Sequence, residues 1–235
     1  MKIEQQRKKR VALYAAPLVI VIAMVMLAPT VSAAGLYDYA PYNTSGFGRT
    51  PTGYGIGANN VITAPYANVN TGIAGMNVGS WAGAFGAYQI DTHASFFGQV
   101  FSISSTGYFT MTYCWKLTWN AAVTTSLSIL GNGVAEESIK LWGNLAVIGS
   151  GSWVLSNPAL TTVTSMSFGG GISWLDGKTN YYYYVTFGAS LAGGYSYQFY
   201  TDLTTHDMAA AVGYANANAA TNVQSATLVY CAITW

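Results

Sequence analysis

The chain has 235 residues, of which 51% are hydrophobic and 14% aromatic but only 7% charged, with a formal net charge of +1. Disordered chains are poor in aromatics and rich in charge, so the composition excludes disorder. A nucleic-acid partner needs a concentrated basic surface to displace counterions, and beyond the N-terminus only Arg49, Lys116, Lys140 and Lys178 are basic, which excludes that partner too.

The N-terminus has the three parts of an export signal. Lys2, Arg7, Lys8, Lys9 and Arg10 form a basic head, residues 11–28 are largely apolar, and Val31-Ser32-Ala33-Ala34 offers small residues for cleavage. Residues 1–34 therefore read as a signal peptide. The alternative is an uncleaved anchor, because the apolar run reaches the roughly 17–18 residues of a spanning helix; Pro17 and Pro29 weigh against it. Either way the body is expected outside the cell, secreted or at the cell surface, with membrane contact only through this segment. Without the head, four basic residues face seven acidic ones, a net charge of −3. A surface so short of charge invites association or suits an acidic medium, where few carboxylates limit the swing in net charge.

Residues 35–83 are rich in Gly, Asn, Tyr, Pro and Ala and show no sustained period. They read as an extended segment whose best strand holds Val61 and Ile62, a possible donor strand. Asn43-Thr44-Ser45 is a glycosylation sequon, which makes Asn43 a candidate acceptor in an exported protein.

From residue 84 to 235 the period is two. Phe109, Met111, Tyr113, Trp115, Leu117 and Trp119 alternate with Thr110, Thr112, Cys114, Lys116 and Thr118, the pattern of a half-buried strand. Residues 134–142 are ambiguous, since Glu136 and Lys140 have helical i,i+4 spacing; strand is favoured from Ser138 onward. Asp176-Gly177 signals a hairpin leading into 181–191. The last strand places Val223, Val229, Cys231, Ile233 and Trp235 on one side. The expected fold is all-β, an antiparallel β-sandwich of jelly-roll type with roughly eight to ten strands.

Cys114 and Cys231 are the only cysteines. In an exported chain an even pair suggests a disulfide, the alternative being two buried thiols. The alternation puts Cys114 on the Thr/Lys side, so a bridge requires a bulge or a lateral bond. Neither cysteine has the neighbours of a zinc site.

Nucleophile-elbow, P-loop, dinucleotide-binding and HExxH motifs are all absent, so no catalytic residue and no cofactor is expected. Asp91-x-His93 with His206-Asp207 is the one combination of metal-ligating types; two histidines in unrelated loops is the plainer reading. Glu136 and Glu137 point to opposite faces of a strand, which does not suit an acid/base pair. Within the run 181–184, Tyr182 and Tyr184 share the outward face and are candidates for stacking on sugar or on a neighbouring subunit.

In layout, the export signal, leading strand, low charge and Tyr/Asn/Thr-rich body resemble secreted archaeal surface proteins of the thread and bundling-pilus type. That resemblance implies a filament or cell-surface subunit whose N-terminal strand completes the next subunit's sheet by β-strand addition. Its partners would then be copies of itself or other envelope proteins. The alternative on the same fold is a secreted carbohydrate-binding module or glycan-processing protein, with glycans as partners and Trp81, Trp142, Trp153 and Trp174 as stacking candidates.

Overall fold

The computed structural model describes the backbone of residues 35–38, 44–55, 60–63, 66–68, 73–83 and 85–235, with side chains from Ile73 onward except Asn77. The expected signal (1–34) and Asn43 lie outside the described residues. Fourteen strands are present among the described residues: β1 (Gly35–Asp38), β2 (Thr44–Gly55), β3 (Asn60–Thr63), β4 (Tyr66–Asn68), β5 (Ile73–Gly83), β6 (Gly86–Ser102) and β7 (Gly107–Thr125), then β8 (Leu127–Ser128), β9 (Gly131–Val147), β10 (Ser152–Trp153), β11 (Ala159–Gly169), β12 (Ser173–Leu191), β13 (Ser196–Gly213) and β14 (Asn216–Thr234).

They form two antiparallel sheets, the two layers of a β-sandwich. The first runs β12-β7-β14-β5-β3, with β4 also on β5 and β1 on β14. The second runs β10-β9-β13-β6-β2, with β11 and β8 also on β9.

The core follows from the alternation. Phe109, Met111, Tyr113, Trp115, Leu117 and Trp119 of β7 all turn inward and are buried, facing Ile139, Leu141 and Leu145 of β9 and Phe199 and Leu203 of β13. Each fully buried large side chain contributes about 1.5–3 kcal/mol. The polar atoms of the aromatics find partners across the layers: Trp115 Nε1 donates to Thr201 Oγ1 at 3.0 Å, and the Tyr113 hydroxyl donates to the Asn144 carbonyl. A buried Trp or Tyr whose polar end is satisfied also fixes how the layers are aligned.

Several expectations are corrected by the register. Residues 134–142 are strand throughout, because β9 is flanked on both sides, by β13 and β11, and a ladder with two neighbours outweighs a charge spacing worth a few tenths of a kcal/mol. Asp176-Gly177 makes no hairpin; β12 runs straight through it along β7, with a bulge between Lys178 and Tyr181 and Asn180 at φ +53°. In β14, bulges after Val223 and Leu228 shift the phase, so Leu228 is buried and Val229 is not.

No disulfide joins Cys114 and Cys231, although both are buried. Cys231 stands opposite Tyr113, on the core face, whereas Cys114 stands opposite Tyr230 on the other face of the same sheet. Facing residues share a side of the pleat, so these two thiols point apart and fail the geometry of a bridge.

The Gly-rich stretch before residue 84 enters both sheets. β2 lies along β6 from Thr44–Phe97 to Gly55–Gly86, β5 lies along β14, and Val61 and Ile62 of β3 stand opposite Ser80 and Gly79 of β5. These strands lack alternation in sequence because glycine and asparagine carry no hydrophobic period.

Candidate functional site

Charge is rare in this chain, and where it falls is informative. Of the described acidic residues, Asp91, Glu136, Glu137, Asp202 and Asp207 lie on β6, β9 and β13, and so do Lys140 and both histidines; Asp38 ends β1 and Asp176 lies on β12. These three strands are neighbours at the centre of the second sheet.

The register arranges their outward side chains in rows across the sheet. Phe97, Tyr200 and Asn144 form the first row, and Ser95, Asp202 and Trp142 the second. His93, Thr204 and Lys140 come third, then Asp91, His206 and Ser138, then Gln89, Met208 and Glu136. Ser165 and Ser167 of β11 extend the last two rows beside Ser138 and Glu136. From these rows Asp91, His93, Glu136, Ser138, Lys140, Trp142, Asp202, Thr204 and His206, with the two serines of β11, line an open cleft of about 510 Å³.

Hydrogen bonds hold much of this grid in place. His206 Nδ1 lies 2.7 Å from Asp91 Oδ1, and Gln89 Nε2 donates to Asp91 Oδ2 at 2.8 Å. Trp142 Nε1 donates to Thr204 Oγ1 at 2.8 Å, and Ser167 Oγ donates to Glu136 Oε1 at 2.9 Å. At the aromatic end, the Tyr200 ring sits 4.9 Å from Phe97 and 4.9 Å from Trp153. Burial lifts the Asp202 carboxyl to about 6 against the opposing pull of His93, and its buried Oδ1 has no well-formed hydrogen bond among the described residues.

The inward face of the same strands carries a second feature. Glu137 and Asp207 face each other between the layers and are 1% and 0% exposed. Thr164 Oγ1 donates to Glu137 Oε1 at 3.1 Å, while Thr221 meets Asp207 with its N–H at 3.1 Å and its hydroxyl at 2.6 Å. Burial is the main cause that raises Glu137 to about 7 and Asp207 to about 8, and the neighbouring Glu137 raises Asp207 further. An acid without a cation beside it stays neutral in such a place.

The four metal-ligating candidates are thus only partly assembled. Asp91 and His206 meet, and His93 lies one row away, but Asp207 points into the core, because successive residues on a strand face opposite sides. Among the described residues, no three His, Cys, Asp or Glu side chains come together to hold a metal. Tyr182 and Tyr184 are exposed on the outer face of the first sheet, with Lys116 Nζ 5.8 Å above the Tyr182 ring. Of the tryptophans, Trp142 enters the cleft, Trp153 packs on the Tyr200 ring, and Trp174 is exposed on β12. Asp202 and Lys140 are cleft residues, and Gln89 a partner of Asp91, that motif reading passes over. Their signal is the period-two run Tyr200, Asp202, Thr204, His206 opposite buried Phe199, Thr201, Leu203 and Thr205.

No family model matches the sequence, and no curated protein does. The C-terminal CBM6 of LamC, a marine laminarinase from Zobellia galactanivorans, is 14% identical, with 86% of this chain and 100% of that one covered at a TM-score of 0.26. The CBM6cm-2 carbohydrate-binding module of Cellvibrio mixtus lichenase 5A, solved with cellotriose, is 13% identical, with 85% and 96% covered and a TM-score of 0.26. The K1 cleaved adhesin domain of Lys-gingipain from Porphyromonas gingivalis W83 is 11% identical, with 74% and 98% covered and a TM-score of 0.17.

Proposed function

We propose that this is an exported glycan-binding β-sandwich whose ligand lies on the outer face of the second sheet. The observation that carries the reading is the gathering of Asp91, Asp202, Glu136, both histidines and Lys140 around Trp142 in a single cleft, in a chain only 7% charged. A sugar ring has an apolar C–H face and a rim of hydroxyls. Trp142 suits the face, while Asp91, Asp202, His206 and Thr204 suit the rim, a small set of polar groups fixing the orientation of a largely stacked ligand. Export is supported by the N-terminal basic, apolar and small-residue pattern.

This reading is placed ahead of a filament built by strand addition, because β3, which carries Val61 and Ile62, pairs with β5 of its own chain. The test is binding to a panel of soluble and insoluble polysaccharides by calorimetry and pull-down, with Trp142→Ala and Asp202→Asn alongside the wild type. At least one glycan binds the wild type, and each substitution weakens it about tenfold or more, equivalent to about 1.4 kcal/mol. Equal binding by the wild type and both variants, or no glycan bound at all, refutes the proposal.

A further inference from the structure

Among the described residues β12 ends the first sheet and has only β7 as a strand partner. Its C-terminal half is covered from the side, where Thr161 Oγ1 of β11 donates to the Tyr184 carbonyl at 2.7 Å. The stretch from Ser173 to Tyr182 is exposed at almost every position, and Trp174, Leu175, Tyr181 and Tyr182 all show large apolar surfaces. A long open edge is a template for another strand, and natural proteins guard such edges with charges and bulges. Here the guards are Asp176, Lys178 and the bulge that follows.

Those two charges are the telling detail. With Asp38, Arg49 and Lys116 they are the few described charged residues outside β6, β9 and β13, and they stand astride Gly177. The Asp176 carboxylate holds the Gly177 N–H at 2.7 Å, and Lys178 makes no ion pair among the described residues. Consider two copies of this edge meeting antiparallel about a two-fold axis through Gly177. Residues directly opposite then share a face. Asp176 of each copy falls opposite Lys178 of the other, before the bulge that follows Lys178 breaks the register. The sequence Asp-Gly-Lys is complementary to itself in that register, which makes two ion pairs, whereas an in-register parallel pairing sets like charges opposite each other. The same two charges that would repel a random strand select a second copy of this chain, with both ion pairs made by one interface.

We infer that β12 is a self-association edge, joining the first sheets of two copies into one continuous antiparallel sheet. Contact between the exposed aromatics at 174, 181 and 182 supplies the apolar part, and the two Asp176–Lys178 pairs set the register. The inference does not rest on the glycan reading, since neither residue lines the cleft.

The test is sedimentation velocity over a wide concentration range for the wild type, Asp176→Lys, Lys178→Asp and an equimolar mixture of the two variants. Both positions lie on the surface, and matching far-UV circular dichroism and melting curves establish that the variants fold. The wild type dimerises, each variant places like charges opposite each other and dissociates at least tenfold more readily, and the mixture restores the dimer as a heterodimer. Raising the salt concentration weakens the wild-type dimer. A wild type monomeric throughout overturns the inference, as do variants that dimerise like the wild type or a mixture that fails to recover. Trp142→Ala leaves the dimer intact whether or not it alters glycan binding.

Discussion

Replacing Asp207 with Asn separates the cost of keeping an acid inside the sandwich from the contacts it makes. Burial pushes this carboxyl from its ordinary 3.8 to about 8. Between those values the folded chain holds a proton that the unfolded chain has lost. The stability from this group is therefore fully present below about pH 4, falls as pH rises, and is gone above about pH 8. One pKa unit is worth about 1.4 kcal/mol, so roughly three units separate pH 7 from the unfolded value and correspond to roughly 4 kcal/mol. Asn keeps the geometry: its carbonyl accepts the Thr221 N–H, and its amide donates to the Thr221 hydroxyl, in place of the contacts at 3.1 and 2.6 Å. It needs no proton. Asp207→Asn is expected to be more stable than the wild type at pH 7 by about 2–4 kcal/mol, a rise in Tm of roughly 5–12 °C for a domain of this size. At pH 4 the two are expected to lie close together. Urea unfolding followed by tryptophan fluorescence at pH 4, 5.5, 7 and 8 measures this. A variant less stable than the wild type at pH 7, or a wild type that gains stability from pH 4 to 8, refutes the reasoning.

Other outcomes follow from neighbouring features. Glu137→Gln acts in the same direction but less strongly, because that carboxyl is raised only from 4.5 to about 7; a flatter pH dependence of Tm above about pH 4.5 is the expected signature. Gly143→Ala destabilises by about 1–3 kcal/mol in chemical denaturation, since a Cβ there would lie 2.7 Å from Tyr113 Cδ2 in a core with no room to yield. Thiol titration under denaturing conditions without reductant is expected to find both Cys114 and Cys231 reactive, and adding reductant to the folded protein leaves its melting temperature unchanged. A reductant-dependent drop in Tm would restore the bridge that the register argues against.

How far the fold could be read from sequence depended on which strands bury one face. β7 was fully legible, because six large apolar residues alternating with small polar ones leave a single solution. β12 was legible only in its second half; its first half is exposed on both faces, so no burial imposes a period, and the Asp-Gly signal pointed to a turn that the ladder with β7 overrides. β2 and β3 were hidden by glycine and asparagine, and the phase of β14 by two bulges that no propensity marks. For the candidate site, Asp91, His93 and His206 stood out as residue types, yet their company did not. Trp142, Asp202 and Tyr200 join them only through pairing between strands distant in sequence, such as Asp202 with Trp142. Residue spacing along one strand reports the face and not the neighbour.

The cleft occupies the outside of one layer, whereas the open edge belongs to the other. In the inferred pair, a two-fold axis perpendicular to the first sheet would leave both second sheets on the same side, so the two clefts would look out in one direction. On the proposed glycan reading, once the first had engaged a repeating glycan surface the second would meet its site at high effective concentration, and retention would exceed what one cleft achieves by orders of magnitude. Such a molecule would hold weakly to a single chain in solution and firmly to a carpet.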